Sequence, residues 1–471
     1  MTRRTVRALQ VVAGAAAAAM LIAACGSSSK PNAQQTTIGP ITGTAASSVV
    51  PWAASGQAAD TTVTVCFFSG PEFDTIQKHG TDFTALTGGK IKIKMVSIPI
   101  AQALPVTINQ LKTSSECDLV DGASEHATDL NPYLLPLGSM MSDPALLNSS
   151  VYNLSDFPKG VLDVATSAKG LMSLPFSADV QMIFYRADLM SQWGITVPKP
   201  PESWTWQQFE AALQTMQAKI KESNLDMSPI AITGSRDASA SMFSLTSMWA
   251  FGGNPFNGDQ PNFTDKKAIE GLNHWSGLLN TLKLASPGSP TYAYNELLTA
   301  LQQGKVPMIA EWNAAVTDLN DPTKSPITAG KLGFALLPYD ESLPANTPRV
   351  FPTTHTLGIS AKSAHPREAF EFAAWYTSPE VALQLASERS SGARTSALTD
   401  PATLAKNPAL GTVAAAGALY HPLPNIPSFG DLLNNVIAPS VNSLFTGQKT
   451  PDQAAADMQS GAEALLKKAG K

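Results

Sequence analysis

The sequence predicts an α/β protein built as two lobes or domains. Its 471 residues exceed the ~250–300 that one hydrophobic core usually serves. Strand-like and helix-like patterns alternate from residue 62 onward. The composition, 44% hydrophobic and 15% charged, is that of a globular chain and excludes a disordered or collagen-like one.

Residues 62–68 alternate β-branched and other side chains and read as a strand. A helix is expected over 73–86. Residues 90–98 alternate Ile and Lys, a second strand with one exposed face. A helix over 101–113 and a short strand over 117–120 follow. This βαβ series implies a parallel sheet with right-handed crossovers. Further strands are expected at 170–176 and 180–185. Ser203-Trp204-Thr205 opens a helix running to Ser223, with Phe209, Leu213, Met216 and Ile220 at 3–4 spacing. A helix over 293–303 is closed by Gly304, and strands are expected at 306–311, 332–336 and 356–360. Residues 363–377 form a helix with Pro366 in its first turn, and Ser378-Pro379-Glu380 caps the next. Thr450-Pro451-Asp452 opens the last helix, where Lys467 and Lys468 suit the negative end of the dipole. No internal repeat of roughly 20–50 residues is present.

The first residues read as an address. Arg3, Arg4 and Arg7 precede an apolar stretch over 9–24 that ends in Leu21-Ile22-Ala23-Ala24-Cys25-Gly26. This is the pattern of a secretory signal peptide, residues 1–24, and its end looks like a bacterial lipobox with Cys25 as the lipidated residue. Residues 25–61, rich in Ser, Thr, Ala, Gln and Gly, read as a flexible tether. No later apolar run reaches the ~18 residues of a spanning helix, so the expectation is a monomeric body lipid-anchored on the extracytoplasmic side of the cell membrane.

Several function classes are disfavoured. A formal net charge of −5 does not suit a nucleic-acid binder. Cysteines stand only at 25, 66 and 117, so there is no CxxC pair for zinc or thiol redox chemistry. Neither a GxSxG elbow, an HExxH helix, a GxxxxGK[ST] loop nor a GxGxxG turn occurs. The histidines at 79, 126, 274, 355, 365 and 421 lack metal-ligand spacing. No catalytic residue, metal or cofactor is expected.

Six segments, in order, resemble the extracellular solute-binding proteins of ABC importers, family 1, the sugar-binding group that includes maltose-binding protein. They are Lys169 to Phe176 leading to Ile183-Phe184-Tyr185-Arg186-Ala187-Asp188-Leu189; Pro201 to Phe209; Met248-Trp249-Ala250-Phe251-Gly252-Gly253; Gly304-Lys305-Val306-Pro307-Met308 with Trp312; Ser363 to Glu380; and Asn425-Ile426-Pro427 through Asp452-Gln453-Ala454. The resemblance implies a two-lobe periplasmic-binding-protein-like fold with a multi-crossing hinge. It divides the body into lobe I, 62–165 plus 356–394, and lobe II, 166–355 plus 395–471. Crossings are expected near 164–168, 351–358 and 390–395. It also implies capture of a sugar in the cleft by lobe closure, delivery to ABC permease subunits, and no catalysis.

Sugar sites combine hydrogen-bonding carboxylates and amides with aromatic faces, and ligands of open α/β sheets sit beyond the carboxyl ends of strands. Ser69 and Glu72 follow the first strand, and Glu125 follows the third. Asp179, after Pro175-Phe176, stands where the resemblance places a polar ligand contact, and Trp312 where it places a stacking tryptophan. Glu311 and Asn313 flank Trp312 and would point the other way if the strand continued. Trp249, Phe251 and Phe243 are further aromatic candidates. Arg394 lies in a hinge-like segment, and His355, at a lobe crossover, could face the ligand, though its place there favours a structural role. Cys66 and Cys117 would lie toward opposite ends of adjacent parallel strands, beyond the ~7 Å Cα limit, which argues against a bridge. Two alternatives stay open: the same fold binding a glycerophosphodiester or polyol phosphate through Arg394, and an exported glycoside hydrolase using Glu125 with Asp179.

Overall fold

The computed structural model describes residues 44–69, 71–99 and 102–470. The signal-peptide reading, Cys25 and the first part of the proposed tether lie outside the described residues.

The first sheet is ordered Ile91–Ile98, Thr61–Phe68, Leu119–Asp121, Thr353–Ile359, Ser173–Asp179. The first three strands are parallel, as a βαβ series requires. Thr353–Ile359 runs antiparallel to both its neighbours, and its register shifts between His355 and Thr356. Four strands therefore end, and one begins, along a single edge of this sheet. Ser173–Asp179 belongs to this sheet although it lies beyond residue 165, where the sequence places the end of the first lobe.

The second sheet is smaller and antiparallel: Met308–Trp312, Gln181–Arg186 and Leu332–Ala335. Helices surround it. Trp206–Glu222 starts at a Thr205–Gln208 capping box and buries Phe209, Leu213, Met216 and Ile220. Ala238–Ala250 is capped by Asp237, and Pro451–Lys468 by a Thr450–Gln453 box. One hydrophobic core underlies the first sheet and continues onto one face of the second through Met182, Phe184 and Ile309, and another covers the opposite face of the second through Ile183, Met308 and Ala310.

The chain passes between the sheets at Val180, where one strand ends at Asp179 and the next starts at Gln181. The expected crossing at 164–168 is not one: Thr166–Ser167 pairs back on Gly170–Leu171 in a short hairpin. A second passage lies between Phe351, in the second core, and Thr353. Past Tyr420, whose hydroxyl donates to Asp179 O at 2.8 Å, the chain runs on to Ile426 in the second core. Residues 390–395 reach the end of the Ser173–Asp179 strand, where Ser391 Oγ donates to Asp179 Oδ1 at 2.6 Å.

Two further expectations are corrected. Residues 46–58 are a docked strap, not a loose tether. Helices Thr44–Val49 and Pro51–Ala54 bury Ala46, Val49, Val50 and Ala53 in the first core, with Ala58 behind them. Ala46 N–H donates to Glu380 Oε2 at 2.6 Å, Asn148 N–H to Val49 O at 3.0 Å, and the Arg367 guanidinium lies 3.9 Å from the Trp52 ring centroid. Helices this short show no readable period and form only because a tertiary surface receives them.

The second correction is a Cys66–Cys117 disulfide, Cα–Cα 5.7 Å. Cys66 pairs in register with Val120. An extended run of three residues would set Cys117 about 10 Å from that level. The strand, however, begins only at Leu119, so Cys117 belongs to the bent connection before it and turns back to meet Cys66.

Under the strap lies Glu371, a carboxylate with no exposed surface. Burial lifts its pKa from 4.5 to about 8, against the pull of the Ala53 backbone and Arg367. A carboxyl raised in the folded state costs nothing below pH 4.5 and an increasing amount up to pH 8. Glu371→Gln is therefore expected to stabilise the protein by about 2 kcal/mol at pH 8 and to leave it nearly unchanged at pH 4. Urea melts at the two pH values check this. Equal effects at both would mean that Glu371 does not titrate in this range.

Candidate functional site

The shared edge of the first sheet gathers charged side chains from three of its strands and two helices. Glu72 comes from the helix after the first strand, Asp121 ends the third strand, and Asp179 ends the Ser173–Asp179 strand. His355 lies near the start of the antiparallel strand, and Arg389 ends helix Pro379–Arg389. Gly122 follows Asp121, and any side chain there would strike Thr356 Oγ1.

The partners are specific. Arg389 donates to Glu72 in an ion pair whose members are both about nine-tenths buried. Burial raises the Glu72 carboxyl, but Arg389 and then His355 outweigh it and hold the group below its ordinary value. Asp179 is 5% exposed and accepts from Ser391 Oγ at 2.6 Å, Asn313 Nδ2 at 3.2 Å and Ser177 Oγ at 3.2 Å. His355 Nδ1 lies 3.3 Å from Asp121 Oδ2. Burial pushes the imidazole down, but Asp121, Glu72 and Asp179 together push it up to about 10, so the ring is a cation at neutral pH. Burial likewise lifts the Asp121 carboxyl, and His355 opposes that rise.

Ser124 joins this edge to an interlobe cavity of about 570 Å³. Its hydroxyl donates to Glu125 Oε2 at 3.1 Å and accepts from Thr354 N–H at 3.4 Å. Thr128, Lys159, Pro352, Tyr420 and Asn425 are among the residues that enclose the cavity. The lobes touch near its rim: Thr128 Oγ1 bonds Asn425 Oδ1 at 3.1 Å, and the Asp129 carboxylate accepts from Ser428 N–H at 2.9 Å. A pocket of this volume falls in the range that encloses small ligands.

Of the residues proposed from sequence, Glu72, Asp179 and Glu125 come together here. Ser69 is exposed at the end of the first strand and donates its N–H to Ile98 O at 2.9 Å. Trp312 is half-buried. Its ring meets Phe243 edge-on at 5.7 Å, and its Nε1–H donates to Ser239 Oγ at 3.3 Å. Glu311 is fully buried beside it and accepts from Trp312 N–H at 2.8 Å. Asn313 continues past the strand end, accepts from Val180 N–H at 2.6 Å and donates to Asp179, tying the crossing to the edge.

Four other candidates belong to the packing. Phe243, stacked on Trp275 at 6.2 Å, and Phe251, stacked on His274 at 4.5 Å, are buried in the second core. Trp249 is buried behind His421, stacked at 4.2 Å and 6°, so it supports the cavity wall without facing into it. Arg394 is fully buried, 4.0 Å from the Phe157 ring centroid and 4.6 Å from that of Tyr152, with Nε donating to Thr377 O at 2.7 Å. Each side chain has the right chemistry for a ligand, but Phe243 packs between a helix and the second sheet, Phe251 packs between helices, and the guanidinium closes a loop.

The sequence reading missed Asp121, Arg389 and Asn313. A position at a strand's carboxyl end was a signal for Asp121. The other two reach the edge only through the tertiary fold. Among the described residues no group of His, Cys, Asp and Glu is placed to hold a metal ion, and no helix is long and apolar enough to cross a membrane.

Two α/β lobes with several crossings and a polar edge between them define a two-lobe, periplasmic-binding-protein-like fold. The bacterial extracellular solute-binding protein family model matches residues 69–383, and the chain belongs to that family. It is 22% identical over 410 residues to the probable amino-acid ABC transporter periplasmic-binding protein of Sinorhizobium fredii, covering 85% of this chain and 88% of that one. It is 28% identical over 341 residues to the mannitol-binding protein of Pseudomonas aeruginosa, covering 68% and 74%. Maltose-bound MalE3 of T. maritima superposes with a TM-score of 0.73 at 19% identity, over 86% of this chain and 100% of that one.

Proposed function

We propose that this chain is the substrate-binding lipoprotein of an ABC importer. It captures an uncharged polyhydroxy compound, a sugar or polyol, between its lobes and hands it to a membrane permease. Cys25 would carry the lipid that holds it on the extracytoplasmic side of the cell membrane. The lobes close because ligand contacts from both sides favour the closed form, and only that difference in affinity drives the change. The mannitol-binding relative and the maltose-bound neighbour support a polyhydroxy ligand.

One observation carries the choice: neither Arg389 nor Arg394 has a guanidinium free for an anion, the cationic His355 is already faced by three carboxylates, and Lys159 on the cavity wall is paired with Asp163. Arg389 is paired with Glu72, and Arg394 is buried away from the edge. A phosphodiester or the carboxylate of an amino acid would ask for such a group. Carboxylates already holding donors suit hydroxyl recognition better than proton transfer, which disfavours the hydrolase reading.

The test is a thermal-shift panel on a soluble chain begun at Thr44, so that the strap is kept. Mannitol, ribitol, monosaccharides, maltose, trehalose, amino acids and glycerophosphodiesters would each be supplied. A ligand at a hundred times its Kd should stabilise by about 2.7 kcal/mol. A sugar or polyol hit without turnover supports the proposal. A hit confined to amino acids or phosphodiesters would sink it.

A further inference from the structure

We propose that His355 is a specificity-determining residue that reads one hydroxyl of the ligand, its Nε2–H and Asp179 Oδ2 forming the two sides of a hydroxyl-sized gap. The inference rests on the polyhydroxy reading and deepens it.

The geometry is as follows. Nδ1 of His355 is taken by Asp121 at 3.3 Å, which fixes the ring. Nε2 faces Asp179 Oδ2 at 3.9 Å, too far for a direct hydrogen bond. An oxygen placed about 2.8 Å from both atoms subtends roughly 90° between them, close to what an alcohol's lone pair and O–H can span. Asp179 Oδ2 already accepts from Ser177 Oγ at 3.2 Å and, as a carboxylate oxygen, has capacity for a second donor. Its partner oxygen Oδ1 is occupied by Ser391 and Asn313, so the carboxylate does not swing.

The charges around the ring make the gap selective. Asp121 stands on the neighbouring strand, with Glu125 and His126 in the turn after it. Asp179 stands on the other neighbouring strand, Glu72 on the helix after the first strand, and Arg389 at the end of helix Pro379–Arg389. The rings of Phe67, Phe68 and Phe176 enclose the imidazole at centroid distances of 6.3, 5.3 and 6.3 Å. The three nearby carboxylates hold the ring as a cation, in which both nitrogens donate and neither accepts. A group seated between Nε2–H and Asp179 must therefore accept from one and donate to the other. A hydroxyl does both. An ammonium has no lone pair for Nε2–H, and a carboxylate or phosphate has no proton for Asp179 and is repelled by it. His355 also sits at the register shift of the strand that enters from the second lobe, so a hydroxyl held there would tie the ligand to a crossing.

The experiment uses D-mannitol, ribitol and maltose as probes, with calorimetry on the wild-type chain, His355→Phe and His355→Gln. A nitrogen-correlated imidazole spectrum of the wild type at pH 8 runs alongside. The expected result is that both His355 nitrogens are protonated, and that the Nε2 signal moves when a probe binds. His355→Phe should weaken that probe by about tenfold to a hundredfold, and His355→Gln, which keeps an N–H donor, should recover most of the loss. A neutral imidazole at pH 8, or equal affinity in the wild type and His355→Phe, overturns this inference and leaves the polyhydroxy reading standing. Failure of all three probes on the wild type overturns both. If His355→Phe does not fold, the wild-type spectrum with and without probe decides: an Nε2 signal that stays put on binding overturns it.

Discussion

Replacing Cys66 and Cys117 together by alanine is expected to lower stability by about 4 kcal/mol. The bridge closes a loop across a sequence separation of 51, and opening it returns that closure entropy to the unfolded chain. Both cysteines are buried, at 1% and 2% exposure, so the alanines add a small packing loss in the same direction. Urea unfolding of the oxidised wild type against the double variant measures the difference. A change under about 1 kcal/mol would mean that the bridge is not formed or that the unfolded chain is already constrained. The effect should reach the cleft, because Cys66 lies three residues before Ser69 and Cys117 four before Asp121. The bridge therefore ties the first strand, ahead of Glu72, to the connection that enters the third strand, ahead of Asp121.

That bridge marks where sequence reasoning stops. Spacing identifies the parallel strands, and it identifies Trp206–Glu222, because that helix has one buried face and the period of 3.6 shows. Ala238–Ala250 is buried on every side from Ala240 to Ala250, so it has no stripe to read, and Phe243 and Trp249 on it resemble cleft aromatics until the packing is seen. The strap has the composition of a linker and docks all the same, because Val49, Val50 and Ala53 meet a surface made by residues a hundred or three hundred positions away. At the site, Asp179, Glu72 and Glu125 were legible because strand ends are where an α/β sheet exposes polar groups. Arg389 and Asn313 were not, since each arrives from an element whose local pattern says nothing about the edge. Arg394 is the converse: its setting suggested a ligand contact, and the fold spends it on Tyr152 and Phe157.

Asp121→Asn should cost about 3 kcal/mol at pH 6, because it leaves the His355 imidazolium without its nearest counter-charge in a buried place. The sign with pH follows from the shift. The folded-state pKa of His355 is raised from 6.5 to about 10, so the pairing stabilises fully below pH 6.5 and is lost as pH climbs toward 10. The wild type should therefore weaken across that window, and the variant, whose histidine has less reason to stay charged, should weaken less. The two stabilities should converge near pH 10. The cost is placed at the lower end of what breaking a buried pair brings, because Asp121 is itself unfavourably buried and its loss returns part of the penalty. Glu371 titrates partly in the same window, so the comparison belongs in a Glu371→Gln background, where the remaining slope can be assigned to the edge. A gap that stays constant from pH 6 to 10 would show that Asp121 holds the strand end by hydrogen bonding alone. It would remove the charged histidine on which the hydroxyl gap depends.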